Sequence, residues 1–112
     1  MIVPLLRMAT GCMAHADSAP VAVGEPWVVG GIEAGDVGAA LSRAAGAYEP
    51  CVSAGPVTMR IVIDEFGRVE EANAIGPHAR SAANCAVDAT LPIQFVPPVG
   101  GTAVVTVEIR ER

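Results

Sequence analysis

From residue 57 onward the chain alternates apolar and mixed positions. Val57, Met59, Ile61 and Ile63 fall on one side of the alternation, with Thr58, Arg60, Val62 and Asp64 on the other. A period of two places one set on a buried face and predicts a half-buried strand. Asp64-Glu65-Phe66-Gly67 supplies turn residues, Gly67 being able to take positive φ, and Arg68 to Ile75 returns as a second strand. Charges at Arg68, Glu70 and Glu71 mark that second strand as a sheet edge, because they discourage further pairing.

The period changes on either side of this hairpin. Upstream, Val37, Ala40, Leu41, Ala44, Ala45 and Tyr48 recur at helical spacing, with Asp36 as the expected cap and Pro50 as the expected stop. Gly38 and Gly46 weaken this helix, so packing must hold it. Downstream, Gly76-Pro77 suits a helix start, and His78 to Leu91 sets Ala82, Cys85, Ala86 and Ala89 on one face before Pro92. After an irregular Phe95 to Gly101 crossover, Thr102 to Arg110 reads as the last strand, with Ala103, Val105, Val107 and Ile109 facing one way.

The expected order is therefore helix, strand, strand, helix, strand. Two helices on one face of a three-stranded antiparallel sheet form an α+β two-layer sandwich. A right-handed crossover gives the spatial strand order 2-1-3, with the last strand as the second edge. Thr102, Val104, Thr106 and Glu108 then face away from the helices. An exposed edge recruits extended peptides by backbone pairing, which makes this strand the candidate partner-binding surface. Two other occupants of that edge remain open: the N-terminal segment around Trp27, or a second copy in a homodimer.

Composition sharpens this picture. The 112 residues suffice for one domain, here 36–112, and 52% are hydrophobic but only 4% aromatic, so many small side chains are buried for little area each. A net charge of −5 without a basic cluster argues against nucleic acid as a partner. Residues 17–35, rich in Gly and Pro, read as a linker, with Trp27-Val28-Val29 able to dock on the domain edge.

Residues 1–16 resemble part of an export signal. Ala9-Thr10-Gly11-Cys12 is similar to a lipobox, in which Cys12 is lipidated, and Ala14-His15-Ala16 is similar to a signal-peptidase site. The lack of a positive n-region suggests a start inside a longer signal; the plainer alternative is a frayed terminus. On the export reading the domain is periplasmic or outer-membrane-anchored.

Three cysteines divide into a pair and a remainder. In the two-layer arrangement Cys51 ends the first helix and Cys85 lies on the inner face of the second, so their thiols can meet. The alternative is two buried free thiols acting as small hydrophobes. No Cys-x-x-Cys occurs and His15 and His78 sit at no ligand spacing, so neither metal nor cofactor is expected. Glu70 and Glu71 point to opposite faces of a strand, and Ser81 near His78 lacks an orienting acid, so no catalytic constellation is expected.

Several of these features occur together in a known family. Val57 to Asp64 followed by Gly67-Arg68-Val69, Asn84-Cys85, Phe95-Val96-Pro97 and Gly100-Gly101 stand in an order and spacing that resemble the C-terminal domain of TonB-like energy transducers. The similarity spans Asp36 to Ile109 and is nearest to the AgmX/PglI C-terminal type. It implies a non-catalytic domain of the cell envelope that engages an envelope protein or peptide strand through a sheet edge. A structural or assembly lipoprotein that exchanges no strand is the other expectation.

Overall fold

The computed structural model describes residues 21–112. The expected strands are present, and two more precede them. In chain order the elements are β1 (Val21–Val23), β2 (Trp27–Gly31), α1 (Ala34–Arg43), α2 (Ala45–Tyr48), a 3-10 turn (Glu49–Cys51), β3 (Val57–Ile63), β4 (Val69–Ile75), α3 (Arg80–Thr90) and β5 (Val99–Glu111). The antiparallel sheet runs β1-β5-β3-β4, and β2 lies beside β1 on the same flank of β5. The inner order β4-β3-β5 is the expected one. The sheet has five strands rather than three, because residues 21–31, read as linker, pair along β5.

Alternation along β3 and β5 does what its period demands. Val57, Met59, Ile61, Ile63, Ala103, Val105, Val107 and Ile109 are all buried on the helix-covered face. Their strand neighbours lie on the open face, half-buried or exposed. Val37, Leu41 and Tyr48 close the core from the helix layer. The hairpin turn also forms as expected. Gly67 takes φ +83°, and a Cβ there would run into the Phe95 carbonyl, so glycine is required twice over. The Phe95 N–H donates to the Gly67 carbonyl at 2.8 Å, docking the crossover segment onto the hairpin.

Several boundaries differ from expectation. Glu33, not Asp36, precedes α1 and makes no side-chain cap; Asp36 sits in the first helical turn. The helix breaks at Ala44, where the backbone leaves helical geometry at φ −95°, ψ 8°. Pro50 does not stop the helix but enters a 3-10 turn near its start, where its missing N–H is no loss. Pro77 and His78 lie outside α3, which starts at Arg80 after an extended Ala79. Gly100 and Gly101 belong to β5 rather than to the crossover.

Cys51 and Cys85 form a disulfide with Cα atoms 5.3 Å apart. It ties the 3-10 turn to α3 and closes a loop of 34 residues. On the chain-entropy model such a bridge stabilises by about 4 kcal/mol. A second link ties the adjoining α2 to α3: the Tyr48 and Thr90 hydroxyls are 2.6 Å apart. The Thr90 hydroxyl donates to the Ala86 carbonyl at 2.7 Å, so its single proton is used and Tyr48 must be the donor in the first bond. Burial pushes the Tyr48 pKa up, and its hydrogen bond to Thr90 offsets this in part.

Candidate functional site

The two flanks of the sheet present different chemistry. β4 forms one edge, and its Glu70 and Glu71 are exposed as expected. Glu71 also accepts a hydrogen bond from Asn73 Nδ2 at 2.7 Å. α3 backs this side of the sheet, packing on β4 and β3.

The other flank corrects an expectation. β5 is not an edge strand: β3 pairs along one side, while β2 and β1 occupy the other. Thr102, Val104, Thr106 and Glu108 do face away from the helices, at exposed or half-buried positions. Their backbone, however, lies between strands, so it offers no free ladder to a partner. The occupant is the segment around Trp27, with Trp27 opposite Thr106 and Val29 opposite Val104. Cys12, the lipidation candidate, and the signal-like segment lie outside the described residues.

The unpaired edge is displaced by one strand. Among the described residues β2 pairs with β5 alone, so the far side of Trp27–Gly31 is open. No residue of β2 is charged. Trp27 is 73% exposed and Val29 60%. Val29, Val104 and Val62 stand in register across β2, β5 and β3 on the open face, and Trp27 lies beside this row. The result is a short apolar strip leading to an edge that carries none of the usual charged protection.

Local geometry explains why β2 docks where it does. Gly30 takes φ +127°, and a Cβ at that position would stand 2.8 Å from Cα and Cβ of Ala103. Only glycine lets the two backbones approach this closely. The register then shifts between Val29 and Gly31, and β2 ends in an irregularity opposite Val99. The signal was in the sequence as Gly30-Gly31 after three β-formers, but those glycines read equally as a linker.

Charge within the site is sparse. Arg60 and Asn73 sit opposite one another on the open face, one strand beyond Thr106. At the hairpin turn the Arg68 N–H, and then the Phe66 N–H, hold the Asp64 carboxyl below its ordinary range. Each donates to Oδ1 at 2.9 Å, and the Arg68 guanidinium stands 3.6 Å from Oδ2. These bonds give Asp64 the role of tying the turn together.

No family model, curated protein or solved structure matches the chain.

Proposed function

We propose that this chain is a non-catalytic protein-binding domain of the bacterial cell envelope that engages an extended segment of a partner through the outer edge of β2. The observation that carries the proposal is the open, uncharged edge of Trp27–Gly31 with exposed Trp27 and Val29 beside it. Backbone donors and acceptors there supply affinity, and the exposed side chains on alternate positions supply selectivity. Similarity to TonB-like C-terminal domains supports the same mode, transferred from the last strand to β2. The disulfide supports an oxidising compartment. Cys12 is the residue through which a lipid anchor would tether the domain to the outer membrane.

The test is an NMR titration of the whole chain with a panel of extended, β-branched peptides. Amide shifts confined to Trp27–Gly31 are expected, and Val28→Lys should abolish them. Shifts absent from β2 across the panel would sink the proposal. A second reading, a structural or assembly domain that exchanges no strand, is favoured by β1 and β2 already filling the flank of β5. That reading expects a rigid domain with no peptide response at any edge.

A further inference from the structure

The second surface with the geometry of a binding site lies in the helix layer, on the far side of the molecule from the open sheet face. α3 meets α2 and the 3-10 turn, where the disulfide holds them. Between the end of α1 with α2 and the end of α3 a groove of about 560 Å³ opens. That is within the ~300–1,000 Å³ usual for ligand sites. Ala40, Ala44, Ala47 and Ala89 line it, so its width comes from methyl groups standing where larger side chains would fill the valley. Pro92 and Ile93 continue the apolar wall.

Its polar groups are few, and some of them are unspent. Arg43 is the one charged residue in the lining, and its guanidinium has no hydrogen-bond or ion-pair partner among the described residues. At the end of α3, Pro92 has no N–H, while Leu91 donates to Val87 and Ile93 to Thr90. The carbonyls of Asp88 and Ala89 therefore receive no donor from the residues that follow the helix. Gln94 uses its Nε2 on the Phe66 and Phe95 carbonyls at 2.9 and 3.0 Å, which leaves Oε1 as another acceptor. Asp88 lies outside the lining, so the groove combines an apolar trough, one cationic fork of donors and two acceptors, the Ala89 carbonyl and Gln94 Oε1.

We propose that this groove binds the apolar carboxyl terminus of a partner polypeptide. The terminal carboxylate accepts hydrogen bonds from the Arg43 guanidinium, a charge-assisted and geometrically matched pair. Small aliphatic side chains lie on the alanine trough. Backbone N–H groups of the peptide donate to the Ala89 carbonyl and Gln94 Oε1. A fatty acid matches the trough and Arg43 but leaves those acceptors unused, so peptide is the better complement. The chain's own carboxyl terminus, Arg110-Glu111-Arg112, is too charged for the role.

The test titrates the full chain, disulfide intact, with an N-acetylated Ala-Val-Val-Leu peptide bearing a free carboxylate. Its carboxamide and dodecanoate are the comparison ligands. The free acid should bind with amide shifts in α1, α2 and the end of α3. The carboxamide and the Arg43→Gln variant should each weaken binding by about tenfold or more. Ala47→Trp, at an exposed position, should block the groove without unfolding the domain. Failure of the free acid to bind, equal binding of the carboxamide, binding of dodecanoate alone, or shifts only on β2 would each overturn the proposal. The first three outcomes leave open whether β2 pairs with an extended strand, and shifts only on β2 would support that pairing while removing the groove as a site.

Discussion

The two edges of this sheet are built to opposite specifications. β4 carries exposed glutamates at two successive positions, Glu70 falling where its register with β3 shifts rather than in simple alternation with Glu71, and has α3 stapled behind it by the Cys51–Cys85 bridge. β2 is five residues long and uncharged, and its Trp27 and Val29 side chains project into solvent. An edge that must stay unpaired is normally blunted by charge or cover. β4 is blunted by charge and braced from behind; β2 is not. The contrast locates the surface at which pairing with another chain is cheap, and it separates a braced edge from an open one.

The bridge gives the largest test of that division. Cys51→Ser with Cys85→Ser should lower unfolding stability by about 4 kcal/mol, read by denaturant titration against the oxidised parent. The loss should not be uniform. Hydrogen exchange should rise most in α3 and β4, because the bridge holds α3 over that side of the sheet. Equal gains in exchange at β2 and β4 would remove the distinction between a braced edge and an open one.

Gly30 probes the other flank. Gly30→Val places a β-branched side chain at φ +127° against Ala103, a conformation that costs roughly 1–3 kcal/mol before any clash is counted. The expected result is release of β2 from β5: faster exchange at Val29 and Val104 and new protease cleavage near Trp27, while β3 and β4 keep their protection. Release would also expose the β5 edge at Thr102, Val104 and Thr106. A variant that unfolds as a whole would instead show β2 to be integral to the core.

The same two regions differ in how far the chain advertises them. The hairpin was legible because seven residues of strict alternation, a turn with Gly67 and a charged return strand all point to one structure. The meeting of Cys51 and Cys85 followed once both helices were placed on one face. β1 and β2 carry no such internal signal. Three residues in β1, and a β2 that ends in two glycines, are strands only because β5 supplies the pairing. Tertiary context decided there, as it did at Glu33, where the helix begins without the side-chain cap that Asp36 seemed to offer. The consequence for the site was direct: missing β2 made β5 look like an edge.

Tyr48 tests the braced side from inside. Tyr48→Phe removes the donor to Thr90 and leaves that buried hydroxyl without its incoming bond, at a cost of about 1 kcal/mol. The parent should also lose stability in alkali. Burial raises the folded-state Tyr48 pKa above 10.0, so the unfolded chain releases its proton first. Stability is full below pH 10.0 and falls as pH rises toward the folded-state value. Thermal melts across that window should show a shallower decline in Tyr48→Phe; an identical decline would assign the alkaline loss to other groups.

The smallest effect is expected at the hairpin turn, where β3 hands the chain to the protected edge. Asp64 has its folded-state pKa lowered, first by the Arg68 N–H, so the ionised form is favoured by folding. The sign is opposite to that of Tyr48: the contribution is present above the ordinary carboxyl value of 3.8 and lost as pH falls through the lower folded-state value. The side chain is exposed, so the change should be slight and confined to the turn. Asn at this position keeps an oxygen for the Phe66 and Arg68 N–H groups but cannot titrate. Asp64→Asn should therefore keep the hairpin while removing its acid sensitivity, measured as amide shifts of Phe66 and Arg68 between pH 5 and pH 2. Unchanged acid sensitivity would remove Asp64 as its source. It would also leave the turn held by Gly67 and the backbone bonds alone, since the Gly67 N–H donates to the Asp64 carbonyl at 2.9 Å and the Asp64 N–H to the Arg68 carbonyl at 2.8 Å.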